Sequence, residues 1–196
     1  MNVDINLAIN GGKPVREDYL SYGKQWIDDE DIEAVVNVLK GDYLTTGPHV
    51  ESFEQKVADY VGANYAVAVS NGTAALHMAC FAAEIGEGDE VIVTPMTFAA
   101  SSNCILYCGG TPVFADIDPK TYNISVEDIK NKITSRTKAI IPVDFTGQAV
   151  DMDRIRQIAD EHNLIVIEDA AHALGTEYKG RKVGTKADIT EFSFHR

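Results

Sequence analysis

Ile165-Val166-Ile167-Glu168-Asp169-Ala170-Ala171-His172-Ala173-Leu174-Gly175 is the stretch that decides the fold. A β-branched apolar run reaches two acids and then a turn of small residues. Unbroken apolar runs bounded by turn signals mark strands buried on both faces, the situation of a parallel sheet. In open α/β sheets, ligands bind outside the carboxyl ends of the strands. Asp169 stands at such an end and can hold a cationic ligand group. Glu168 points to the opposite face if the strand continues that far.

Outward from this strand the pattern alternates. Strands are predicted over residues 65–69, 90–94, 112–115, 139–143, 165–168 and 189–194. Helices are predicted between them over 73–85, 98–107, 126–133 and 152–162. Ser125 with Asp128 reads as a weakened capping box, and Asp151 as the cap of the helix carrying Arg154, Ile155 and Ile158. Upstream, a helix starts near Asp28 or Asp29, shows Ile32, Val35, Val36 and Leu39 on one face, and stops at Gly41. A second carries Val50, Phe53, Val57, Tyr60 and Val61 and ends at Gly62. Strands alternating with helices define an α/β fold: three layers, α/β/α, around a mainly parallel sheet. Residues 1–48 read as an N-terminal helical arm and loop, and 49–196 as one large domain.

Composition narrows the function. The chain has 17 basic and 30 acidic residues, a net charge of −13. Such a chain repels a phosphate polymer, and no basic run offsets this, so nucleic acid is excluded as a partner. Three cysteines make no complete disulfide framework. Cys104 and Cys108 lack the further Cys/His pair of a zinc site, so no metal centre is read from them. Thiols of this kind suit a reducing, cytoplasmic setting. No signal-peptide pattern opens the chain, and no apolar run is long enough to span a bilayer, so no membrane partner is expected.

Four motifs can carry chemistry. Ser70-Asn71-Gly72-Thr73-Ala74-Ala75 joins a strand to a helix; small residues admit a ligand, and unpaired N–H groups of the first turn suit a phosphate. Alone, it reads first as an ordinary turn with a polar cap. It is neither a dinucleotide fingerprint nor a P-loop. Phe98, in Thr94-Pro95-Met96-Thr97-Phe98, follows a strand and can stack on a planar ring or fill the core. Asp169 can keep a pyridinium nitrogen protonated, cap the next turn, or hold magnesium. Ser193 can donate to a phosphate, and His172 and His195 can act as supporting donors or as satisfied core histidines.

Taken in order, Ser-Asn-Gly-Thr-Ala-Ala-Leu, Thr-Pro-Met-Thr-Phe, Glu-Asp-Ala-Ala-His-Ala and Phe-Ser-Phe-His resemble the DegT-type sugar-nucleotide aminotransferases. Asn10-Gly11-Gly12-Lys13-Pro14-Val15 and Leu44-Thr45-Thr46-Gly47-Pro48 resemble that family's opening segments. The resemblance implies the large domain of a fold-type I transferase, with pyridoxal 5'-phosphate as cofactor. It further implies glutamate as amino donor, a UDP-linked keto-sugar as acceptor, and a homodimer. By position, Gly72, Thr73 and Ser193 hold phosphate, Phe98 stacks on the ring, Asp169 pairs with its nitrogen, and His172 lies near the ring hydroxyl. Tyr22, Thr45, Thr46 and Gly47 approach the sugar nucleotide.

The family's Schiff-base lysine falls beyond Arg196, so no catalytic residue is expected within this chain. Lys179, Lys182 and Lys186 precede the final strand. A fragment lacking that lysine, the C-terminal small domain and one interior strand is expected to be marginally stable and inactive alone. Two alternatives stay open: a pyridoxal-phosphate-dependent sugar dehydratase of the same family, and a non-catalytic cofactor- or nucleotide-binding module.

Overall fold

The structure, a computed structural model, describes residues 6–21 and 23–194. It divides into two compact units, Met1–Gly47 and Pro48–Arg196.

In the first unit, Asp28 caps helix α1 (Asp29–Lys40). Its carboxylate accepts from the N–H groups of Glu30 and Asp31, at 3.0 and 3.2 Å. Asp31 reaches back to the Asp28 N–H at 3.1 Å, completing a capping box. Acids in the first turn and Lys40 in the last both favour the helix dipole. None of the helix is buried, and Ile32, Val35 and Leu39 stand exposed.

The second unit is a five-stranded parallel sheet with helices on both faces. Helix α2 (Pro48–Val61) leads to α3 (Gly72–Ala82), β1 (Glu90–Val93), α4 (Ala100–Tyr107), β2 (Thr111–Phe114) and α5 (Val126–Lys132). Then come β3 (Thr137–Ile141), α6 (Met152–His162), β4 (Ile165–Asp169), a hairpin of β5 (Glu177–Tyr178) and β6 (Arg181–Lys182), and β7 (Ile189–Glu191). The sheet order is β2-β1-β3-β4-β7.

Strand alternation splits the core in two. Val91, Val93, Ala139, Ile141 and Ile167 face α3 and α4, packing on Leu76, Ala79, Cys80, Cys104 and Ile105. Ile92, Ile140 and Val166 face the other way, onto Ile129, Ile155 and Ile158 of α5 and α6. Both faces are covered, which explains the continuous apolar runs in β1, β3 and β4. Each fully buried isoleucine contributes about 1.5–3 kcal/mol.

Four expectations need correction. Residues 65–69 alternate as a strand does but join no sheet, because a ladder needs a neighbour and none of the described residues supplies one. Tyr65 and Val67 are exposed, and the Ala68 N–H donates to the Glu54 carboxylate at 2.8 Å instead. A cleft of about 550 Å³ separates this extended segment from β7. Asp151 makes no side-chain cap on α6; its carboxylate accepts from the Tyr178 hydroxyl at 2.7 Å. Helix α4 begins at Ala100, leaving Phe98 in the preceding loop. The expected capping box at α5 is half made. Ser125 accepts from the Asp128 N–H, but the Asp128 carboxylate turns to the Asp116 N–H. The cysteines are free, with Cys80 and Cys104 sulfurs 3.5 Å apart in the core.

Candidate active site

The strands end on one edge, and the residues singled out in the large domain gather there. Asn71 caps α3: its side chain accepts from the Ala74 N–H at 2.9 Å, and its carbonyl takes the Ala75 N–H at 3.0 Å. Gly72 and Thr73 occupy the first two helical positions, whose N–H groups have no intrahelical acceptor. They are aligned with a helix dipole that favours an anion. Ser193, two residues past β7, lies against Gly72: its Cβ and Oγ are 3.2 and 3.3 Å from where a Gly72 Cβ would sit. The turn is therefore a cradle that a side chain at residue 72 would fill.

Asp169 closes β4 and is 4% exposed. Its backbone is clamped into the sheet edge, the N–H donating to Pro142 at 2.9 Å and the carbonyl accepting from Asp144 at 3.0 Å. Its Oδ2 accepts from the Ser101 hydroxyl at 2.6 Å, and its Oδ1 from the Ala171 N–H at 3.3 Å. Ser101 is fully buried in the first turn of α4. Thr97 Oγ1 lies 2.7 Å from the same hydroxyl, and the Phe98 carbonyl 3.1 Å. A serine has a single proton. It goes to the shorter, charged acceptor, so Thr97 donates to Ser101. Ser101 thus ties the loop carrying Phe98 to the acid, and the sequence did not single it out.

Phe98 is 76% exposed, so it is no core aromatic. A surface aromatic on a fixed loop at the strand-end edge is available to a planar ligand. His172 is exposed in the turn after β4, and its carbonyl packs 2.9 Å from the Gly147 Cβ position. Gly147 has φ of +86°, and a side chain there would strike this carbonyl. Thr45, Thr46 and Gly47 lie in the first unit, where Thr46 has φ of +49° and the Tyr43 side chain packs on Gly47. Tyr22 and His195 lie outside the described residues.

Other acids crowd the edge. Asp144 is buried; Oδ1 accepts from the Val150 N–H at 2.8 Å, while Oδ2 has no partner. Burial, then the charge of Glu168, pushes its carboxyl up to about 8. Glu168 faces away from Asp169 and accepts from the Thr190 hydroxyl at 3.0 Å. Burial raises it above the usual carboxylate range despite that bond. Among the described residues no group of three or more His, Cys, Asp or Glu side chains is arranged to hold a metal ion. Lysines near the last strand are engaged elsewhere. Lys179 and Lys186 both pair with Asp153, and Lys182 lies over the Tyr60 ring at 3.9 Å.

A helix N-terminus opened by glycine, a serine beside it and a buried acid at a strand end are what the geometry brings to this edge of the sheet. The sequence model of the DegT/DnrJ/EryC1/StrS aminotransferase family matches residues 25–196, and the chain belongs to that family. It is 46% identical over 169 residues to GDP-perosamine synthase of Caulobacter vibrioides, a match covering 86% of this chain and 46% of the relative. A sugar aminotransferase of Streptococcus pneumoniae, Spr1654, solved in a PLP form, shares 34% identity at a TM-score of 0.86, covering 90% of this chain and 49% of that one. Helicobacter pylori PseC, an aminotransferase of pseudaminic acid biosynthesis, shares 35% at a TM-score of 0.84, covering 89% and 47%. The chain spans about half the length of the curated relatives it matches. No helix among the described residues is long and apolar enough to cross a membrane.

Proposed function

We propose that the protein carrying this chain moves an amino group from glutamate to the C4 ketone of a UDP-linked keto-sugar, through pyridoxal 5'-phosphate. The observation that carries the reading is the cradle at Gly72, Thr73 and Ser193 combined with the Ser101-anchored Asp169. The cofactor's phosphate has a helix N-terminus to sit on, and its ring nitrogen has a buried anion. When bound, pyridoxal phosphate supplies the electron sink that lets nitrogen pass between carbon skeletons.

Each residue then has a task. Gly72 and Thr73 N–H groups and the Ser193 hydroxyl bind the phosphate. Asp169 holds a proton at the ring nitrogen, and Ser101 keeps that carboxylate in place. Phe98 covers one face of the ring, and His172 stands near its hydroxyl. Tyr22, Thr45, Thr46 and Gly47 meet the sugar nucleotide in a homodimeric enzyme, residues 1–48 forming the arm and 49–196 the large domain. The lysine for the covalent link and the carbon-bound proton follows the Phe-Ser-Phe-His run.

The finer assignment is to the UDP-4-amino-4,6-dideoxy-N-acetyl-altrosamine type of product. Its support is the Phe-Ser-Phe-His run and the likeness to PseC; UDP-4-amino-arabinose is the rival. The GDP-perosamine synthase likeness makes GDP-linked keto-sugars the third arm of a test. The relatives named above are aminotransferases or a synthase, and none favours a dehydratase. With glutamate and pyridoxal phosphate, the UDP-linked 4-keto-6-deoxy sugar is expected to give an amino sugar, detected by mass, at least tenfold faster than the GDP-linked one. Faster turnover of the GDP-linked sugar would overturn the nucleotide assignment. A dehydrated product without nitrogen would overturn the aminotransferase reading.

A further inference from the structure

Glu191 is a buried carboxyl with no task in the site described above. It closes β7 directly across the parallel ladder from Asp169. Register partners in adjacent strands lie about 4.8 Å apart and turn their side chains to the same face of the sheet. Glu191 is 3% exposed and Asp169 4%. The first turn of α3 closes over Glu191, with Oε1 2.5 Å from where a Gly72 Cβ would sit. Both of its oxygens are sealed from solvent, and no donor reaches either one. A ligand lying on that turn does not touch them.

Two carboxyls placed side by side and out of water do not both ionise near neutrality, because like charges at such a site force one group to keep its proton. Donors decide which one. Asp169 accepts from the Ser101 hydroxyl at 2.6 Å and from the Ala171 N–H at 3.3 Å, and both bonds favour an anion. Glu191 accepts from nothing, so the proton belongs to Glu191 and the Asp169 carboxylate is its acceptor. The other groups around the pair leave this balance in place. On β4, Glu168 turns to the opposite face, onto Thr190. Beyond Asp169, past the end of β3, Asp144 is raised to about 8 by burial and then by the charge of Glu168. On α4 the Cys104 thiol is kept protonated by its contact with Cys80 and by burial. The first turn of α3 carries no charge, and His77 further along is exposed, edge-on against Tyr107. Before β7, Asp188 pairs with Arg156. On the cleft side Glu54 of α2 is occupied by the Ala68 N–H. No described cation faces Glu191.

We propose that Glu191 is a positioning residue for the acid of the cofactor site: as a neutral carboxyl it donates a hydrogen bond to the Asp169 carboxylate, and the two buried acids carry one negative charge between them. Its use rests on the site proposed above, while the shared charge itself needs no ligand. Burial first, then the charge of Asp169 and the hydrogen bond to it, raise the Glu191 carboxyl to about 8, so the acid form is the one present near neutrality. A carboxylate has about four places for donors. Ser101 from α4, Ala171 from the following turn and Glu191 from β7 fill the others and leave one for a ring N–H. The carboxylate is thus gripped from both neighbouring elements, and a single negative charge faces a single pyridinium proton.

The test has two arms, both on the protein carrying this chain. In the first, the infrared carbonyl stretch of protonated carboxyls is followed against pH without ligand. The difference between wild type and Glu191→Gln isolates the Glu191 proton, since Asp144 and Glu168 are common to both. It is expected to show a protonated carboxyl at neutral pH, lost with a midpoint at about pH 8. In an Asp169→Asn background the same difference is expected to titrate about one pH unit lower or more, because the neighbouring charge is gone. An ionised Glu191 at neutral pH, or a midpoint that Asp169→Asn leaves in place, would overturn the proposal. In the second arm, pyridoxamine 5'-phosphate, which forms no covalent link to lysine, is titrated calorimetrically at neutral pH. Glu191→Met keeps the length and removes the donor; it is expected to weaken binding about tenfold in wild type and less than about twofold on top of Asp169→Asn. Glu191→Gln, whose amide still donates, is expected to stay within about threefold of wild type. Equal losses in the two backgrounds would show a role not exerted through Asp169, overturning the proposal while leaving the cofactor site intact. Binding untouched by Asp169→Asn would bring down both. If Glu191→Met fails to fold, the infrared arm, which does not use it, decides.

Discussion

Asp169→Asn is expected to lower kcat for amino transfer by about 10²–10³-fold in the protein carrying this chain, the range for losing one preorganised electrostatic group in a buried site. The substitution conserves shape. An asparagine amide still meets the Ser101 hydroxyl, now 2.6 Å from Oδ2, and the backbone clamps at Pro142 and Asp144 do not involve the side chain. What is lost is the negative charge that keeps a ring nitrogen protonated. Thermal unfolding is therefore expected to stay within a few degrees of wild type while turnover collapses. Near-normal turnover would mean that Asp169 does not face the ring nitrogen.

Gly72→Val is expected to weaken pyridoxamine 5'-phosphate binding by about 100-fold, corresponding to one or two charge-assisted hydrogen bonds lost at the phosphate. A Cβ at this position meets Glu191 Oε1 at 2.5 Å and the Ser193 Cβ at 3.2 Å. Valine adds two methyl groups to that conflict. Moving Ser193 aside removes a phosphate donor, and the methyls occupy the space in front of the Gly72 and Thr73 N–H groups. Its backbone lies outside the left-handed region, so helix α3 is expected to persist, with circular dichroism unchanged. Unaltered affinity would place the phosphate elsewhere.

The sheet was legible because both its faces are buried. Val91-Ile92-Val93, Ala139-Ile140-Ile141 and Ile165-Val166-Ile167 are short apolar runs rich in β-branched residues, and α6 was marked over 152–162 by Ile155 and Ile158. Local pattern failed where a distant residue decides. Residues 65–69 carry strand alternation, yet a strand exists only with a partner to bond. Asp151 sits where a cap belongs, but Tyr178 from β5 takes its carboxylate. The β5–β6 hairpin is two residues per strand, too short to show a period.

The site was legible only in part for the same reason. Asp169 and Gly72 stand out as an acid ending an apolar strand and a glycine opening a helix. Ser101 looks like any first-turn serine; its meaning comes from a carboxylate 68 residues further along the chain. In Ile189-Thr190-Glu191-Phe192 two adjacent polar residues break any alternation, so neither face is marked as the inner one. Only the parallel register with Asp169 shows that Glu191 points inward.

A crystal structure of the protein carrying this chain with pyridoxal phosphate bound tests the central claim most directly. The account predicts the phosphate on the N–H groups of Gly72 and Thr73 and the Ser193 hydroxyl, with the ring nitrogen within hydrogen-bond distance of Asp169 and Phe98 against a ring face. A cofactor bound with its ring nitrogen away from Asp169, or with its phosphate off the first turn of α3, would contradict it.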